Sequence, residues 1–202
     1  MKKLKVTAII LASAFLCAGC GGSSSVSVDG NAIIFNKDGK VESQLESVLD
    51  QDYYSSDELK TKVEDEIQSF NAVNGEGSVT LSEYDYDKSD STVKLVLTFE
   101  SAEDYIAYNS ETDYDFQSDD FYSGSVDITK TTLESLKVVK NGEITTDTYA
   151  EGDNHTMVLV KGENTVVVPG NIVAVGANVE VTGDKQAKIT SSDEPACIIY
   201  EN

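Results

Sequence analysis

His155 is the only imidazole in the 202-residue chain, and it stands in Glu151-Gly152-Asp153-Asn154-His155, a turn signal ahead of an apolar run. A Ser-His-Asp relay needs a serine on a strained elbow, yet no G-x-S-x-G is present, and Ser123-Gly124-Ser125 has the wrong spacing. A zinc site draws on several His or Cys ligands, and beyond the N-terminal segment only His155 and Cys197 are at hand. His155 therefore reads as a solvated turn residue. Cys197 lies in Ala196-Cys197-Ile198-Ile199-Tyr200, a strand-like apolar run in which a thiol is expected to be buried and inert.

The carboxylates offer more. Asp85, Asp87 and Asp90 share one hairpin turn, and Asp113, Asp115, Asp119 and Asp120 share a longer loop. Calcium takes six to eight oxygens, so Asp85, Asp87, Asp90, Asp113 and Asp115 are the candidate metal ligands and calcium the one candidate cofactor. Neither run fits the calcium-loop template: counting from Asp85, Asp90 stands where Gly is required and Val96 where Glu is required. The competing reading is a solvated acidic face.

The same loop interleaves Tyr114, Phe116, Phe121 and Tyr122 with the acids, while Tyr53, Tyr54, Tyr84, Tyr86, Tyr105 and Tyr108 lie on neighbouring elements. A tyrosine offers a rigid face and a polar tip, so these four loop aromatics form a candidate ligand-binding face for a sugar or a cation. The alternative is that the rings cap a core. A glycan or cell-wall hydrolase using two carboxylates is the rival catalytic reading, but nothing in the spacing singles out a pair. No catalytic residue is assigned, and the chain is expected not to be an enzyme.

Charge narrows the partners. The chain carries 15 basic residues against 36 acidic ones, a formal net charge of −21, and every basic residue is Lys. Without Arg it lacks the planar fork that grips phosphate or guanine, and its field repels polyanions, so nucleic acid is excluded as an expected partner. With 40% hydrophobic and 25% charged residues, it has the composition of one globular domain, or two small ones, rather than of a disordered chain.

The N-terminus reads as an address. Lys2, Lys3 and Lys5 precede an apolar stretch from Val6 to Leu16, which is too short to span a bilayer at about 20 residues per span. Leu16-Cys17-Ala18-Gly19-Cys20 resembles the lipobox of bacterial lipoproteins, with Cys17 where Leu is usual. The resemblance implies that Cys20 is diacylated and the chain cut just before it. Residues 1–19 are then a signal peptide, and 20–25 the lipidated cysteine with a Gly/Ser tether. Two acyl chains anchor stably where one does not. The expected location is the outer face of the cytoplasmic membrane of a Gram-positive bacterium.

The elements that must hold any site follow from periodicity. Asn31–Asn36 and Val41–Leu49 flank Asp38-Gly39, a type I′ hairpin signal, although Val41, Leu45, Val48 and Leu49 also fit a helix. Ser55 with Glu58 forms a capping box ahead of Leu59, Val63, Ile67 and Phe70 at helical spacing, and Asn74-Gly75 stops the run. A hairpin follows, with Val79 and Leu81 in one strand and Val93, Leu95, Leu97 and Phe99 in the other. Ser101 and Asp104 then cap a short helix. Residues 26–109 thus read as an α+β hairpin-helix-hairpin-helix unit with two helices on one face of an antiparallel sheet. Residues 110–124 read as an acidic aromatic loop. Residues 125–202 read as a β-rich unit of short strands, a small sheet or partial barrel, sharing one core with the first unit or forming a second.

Tyr53-Tyr54, Glu58-Leu59, Ile67, Asn71, Val93 to Phe99 and Ser101-Ala102-Glu103-Asp104-Tyr105 with Asn109 resemble a pattern in uncharacterised surface lipoproteins of Gram-positive gut anaerobes. The tail from Val168 to Val175, with Ile198-Ile199-Tyr200, is similar to the end of the same group. The resemblance implies the envelope address and the α+β fold, and contributes no catalytic residue. The expected function is that of a lipid-anchored, non-catalytic module binding an extracellular protein or a glycan, with a structural envelope role as the plainest alternative.

Overall fold

The first expected helix forms because its stop signals are unambiguous. In this computed structural model, which describes residues 28–51, 53–113, 115–132 and 135–202, helix α1 runs Ser56–Asn74. The Ser55 hydroxyl accepts the Glu58 N–H, and Gly75, at φ 123°, closes the other end by donating to the Asn71 carbonyl. Helix α2 (Ala102–Thr112) starts in the same way, with Ser101 Oγ accepting the Asp104 N–H at 3.1 Å. Each cap satisfies a backbone donor that the first turn leaves unpaired.

Thirteen strands, counted among the described residues, make the fold mixed α+β and rich in sheet. They are β1 (Ala32–Phe35), β2 (Val41–Val48), β3 (Val79–Asp87), β4 (Thr92–Phe99), β5 (Phe121–Ser125), β6 (Lys137–Lys140) and β7 (Glu143–Ile144), continuing with β8 (His155–Val160), β9 (Thr165–Val167), β10 (Asn171–Val175), β11 (Val179–Gly183), β12 (Gln186–Ile189) and β13 (Ala196–Glu201). A seven-stranded sheet has the order β11-β12-β9-β1-β2-β4-β3, and a six-stranded sheet the order β5-β8-β13-β10-β6-β7.

Val41–Val48 is a strand, so the helical alternative falls: the alternation places Val41 and Ser43 on the covered face, and β4 supplies the ladder a lone helix would lack. The turn before it is not type I′. Of its residues only Gly39 has positive φ, and Asn36 to Lys40 close a longer loop through Asn36 N–H donating to the Lys40 carbonyl. The two-residue I′ geometry occurs instead at Asn141-Gly142, where both φ values are positive. The loop expected over 110–124 is shorter than its composition suggests, because α2 extends to Thr112 and Phe121–Ser125 pairs with β8 as a strand.

The two halves of the chain do not segregate. Strand β1 pairs in parallel with β9, with Ala32 opposite Thr165, so strands from the C-terminal half complete the N-terminal sheet. One cluster unites Ile33, Phe35, Leu97 and Phe99 of the first sheet with Val158, Val160, Ile172 and Ile198 of the second, and with Ile67, Phe70 and Tyr108 of the helices. Phe99, which is 1% exposed, meets Tyr105 and Tyr108 edge-on, and Tyr108 in turn meets Phe70 edge-on. Burying one such side chain contributes roughly 1.5–3 kcal/mol. The second sheet is covered on its other face as well, where Met157, Leu159, Cys197 and Ile199 meet Leu136 and Tyr149. Among the described residues, no helix is long and apolar enough to cross a membrane.

Candidate functional site

The four aromatics do not share a face. Phe121 and Tyr122 are consecutive on β5, and the pleat sends them to opposite sides of the sheet. Phe121, 3% exposed, enters the main core and stacks on Tyr105 and Phe35, while half-buried Phe116 packs against that core and meets Tyr105 edge-on. Tyr122 joins the cluster on the far side, where its hydroxyl donates to the Ser125 carbonyl at 2.8 Å and Lys130 Nζ stands 5.2 Å from its ring centre. Tyr114 lies outside the described residues, as does the lipobox cysteine, Cys20.

The acidic residues are engaged by their own turns. Asp87 accepts the Ser89 N–H at 2.8 Å, Asp90 the Thr92 N–H at 3.0 Å, and Asp113 the Asp115 N–H at 3.0 Å. The Ser89 bond holds the Asp87 carboxyl below its usual range. Asp85 is exposed and sits across from Lys94 in the ladder, and Asp115 is exposed in its loop. Among the described residues no three His, Cys, Asp or Glu side chains converge as a metal would require. The acid with the most elaborate setting is Asp120, buried at 8% exposure, which accepts the Gln117 N–H and is paired with Lys161 at 3.1 Å.

His155 is less exposed to solvent than a turn residue would be. Its Nδ1 accepts the Gly152 N–H at 3.0 Å and lies 2.9 Å from the Tyr149 hydroxyl, so the ring proton belongs on Nε2. Tyr149 is pushed up to about 12 by burial, with Glu151 and Cys197 adding to the shift. Burial likewise pushes the Cys197 thiol up to about 11, far from the thiolate that nucleophilic chemistry needs.

What the structure does assemble is a cleft of about 700 Å³ at one end of both sheets. The first sheet supplies Phe35 and the turn through Asn36, Lys37, Gly39 and Lys40; the second supplies Ser123, Thr156, Asn171, Tyr200, Glu201 and Asn202. Pro169 and Gly170, where the chain crosses from one sheet to the other, and Lys185 in the β11–β12 turn complete it. The crossing is tied down by three bonds: Val168 N–H to the Lys185 carbonyl, Ile172 N–H to the Asp184 carbonyl, and Lys185 Nζ to the Pro169 carbonyl at 2.9 Å. Gly170 is required by close approach, since a Cβ there would clash with the Glu201 carbonyl oxygen. Asn36 donates to Glu42 at 2.8 Å and Asn202 to Thr156 at 2.6 Å, which fixes both amides in orientation.

Sequence reasoning missed this site. The signal in the sequence is faint: three of a strongly acidic chain's lysines fall in or beside two turns, Asp38-Gly39 and Asp184-Lys185. Their convergence depends on the parallel β1–β9 pairing, which no local pattern announces. The cleft can accept hydroxyl and carbonyl groups through its amides and hydroxyls, and its volume lies within the roughly 300–1,000 Å³ of small-molecule sites. No protein-family model, no curated protein and no solved structure matches this chain.

Proposed function

We propose that this chain is a lipid-anchored protein of the outer face of the cytoplasmic membrane, held there through Cys20, that binds a ligand without transforming it. The single observation that carries the reading is the cleft: one concave, polar, open surface of about 700 Å³ built from turns that the fold holds in place by backbone bonds. In this reading the hairpin-helix-hairpin-helix unit, with both helices on one face of its sheet, is the scaffold. The β-rich half completes the sheet and closes the cleft. The ligand is a glycan-like or peptide-like molecule rich in hydrogen-bonding groups, because the lining pairs amides and hydroxyls with only two aromatic rings, Phe35 and Tyr200.

Thermal melting of the full chain in a neutral detergent, across a panel of neutral saccharides, acidic saccharides and wall peptides, tests this. A ligand that binds the folded state raises the melting temperature by mass action. At least one panel member is expected to raise it, and the rise is expected to vanish in Asn171→Trp, which fills the cleft from an exposed position. A rise that survives this substitution places the ligand elsewhere and overturns the assignment.

A further inference from the structure

The lining of the cleft is richer in lysine than the chain as a whole. Acids outnumber lysines 36 to 15 overall, yet the cleft is lined by Lys37, Lys40 and Lys185 with Glu201 as its only carboxylate side chain. Outside the cleft, among the described residues, Lys60, Lys94, Lys130, Lys140 and Lys161 pair with acids while Lys62, Lys88, Lys137 and Lys188 do not; what sets the cleft apart is that three lysines line one concave surface. In the cleft, Lys37 and Lys185 have no acidic partner among the described residues, and Lys185 is aimed by the Pro169 carbonyl at 2.9 Å. Lys40 is steadied by Glu100 at 2.7 Å.

An ammonium held beside a concave polar surface, with no anion of its own, is a receptor for one. We propose that the cleft binds a short saccharide or polyol carrying an acidic group, with Lys37 and Lys185 taking the anion, Lys40 beside them already paired with Glu100, and the Asn and Thr side chains taking the hydroxyls. This deepens the reading of the cleft as a ligand site and rests on it. The remainder of the chain sets the size limit. At a screening length of about 8 Å the two unpaired ammonium groups act within the cleft, while a long polyanion must also run across an acidic surface that repels it. A ligand with up to three acidic groups is therefore favoured over a polymer.

Carboxylate and phosphate satisfy the same lysines, and the experiment separates them. Calorimetric titration of the full chain in neutral detergent uses trigalacturonate, glycerol 3-phosphate and a neutral galactose trimer. The acidic probes are expected to bind more tightly than the neutral trimer, and whichever of the two is tighter identifies the source of the anion. Lys37→Gln and Lys185→Gln are each expected to weaken the acidic probe by about tenfold or more, the worth of a charge-assisted hydrogen bond, and so to narrow the gap between acidic and neutral probes. Lys37 bonds to no described side chain, so its variant is expected to melt with the native chain. Neutral and acidic probes binding equally, or acidic binding that survives both substitutions, overturns the anion while leaving the cleft as a site. No binding by any probe overturns both.

Discussion

Phe121 stacks on Tyr105 with ring centres 4.2 Å apart and planes 28° from parallel. That contact ties the start of β5 to α2, and with Phe35 beneath it, it turns a residue that reads as part of a ligand face into part of the core. Burial pushes the Tyr105 hydroxyl up because the same packing strips water from the ring.

Truncation should therefore separate Phe121 from Tyr122. Phe121→Ala is expected to cost about 3–5 kcal/mol of folding stability, as buried Phe truncations do, while Tyr122→Ala, half-buried under Lys130, costs clearly less. Urea unfolding of both variants measures the difference, and equal losses would contradict the placement of Phe121.

Gly170→Ala is a sharper test of the crossing between the sheets. Its Cβ would meet the Glu201 backbone, which has no flexible end to move aside, so the β10–β13 ladder must shift. A loss of at least about 2 kcal/mol is expected, read as a lower urea midpoint. An alanine variant as stable as the native chain would show that this approach is not close.

The folded state should weaken in alkali. Burial raises the Cys197 thiol from 9.0 to about 11, so from about pH 9 upward the unfolded chain releases a proton that the folded chain keeps. The contribution is fully present below that pH and is lost progressively up to about pH 11, at a cost of roughly 3 kcal/mol. Urea midpoints across that window should fall with pH for the native chain and less steeply for Cys197→Ala. Parallel slopes would assign the loss to other groups.

Cys20→Ser should release the chain from the membrane fraction of an expressing bacterium, since the remaining sequence offers no second acylation site of the same pattern. Membrane retention of the variant would contradict the lipid anchor.

Much of the scaffold was legible because its signals are local. Ser55 with Glu58, Ser101 with Asp104, and Gly75 each satisfy a helix end within a few residues, and Val93, Leu95, Leu97 and Phe99 recur at every second position. The site was not legible for the opposite reason. Lys37 and Lys185 are 148 positions apart in sequence and line one cleft because β1 lies beside β9, and the start of β12 lies beside that. Tyr122 and Phe121 misled because adjacency in a loop implies a shared face, whereas adjacency in a strand implies opposite ones.

Hydrogen exchange of the full chain with and without trigalacturonate measures most directly where a ligand sits. Slowed exchange confined to the 36–40 turn, the 169–171 crossing and the 184–186 turn is the expected result. Slowing over residues 110–122 with those turns unchanged would return the site to the acidic aromatic loop and contradict the cleft.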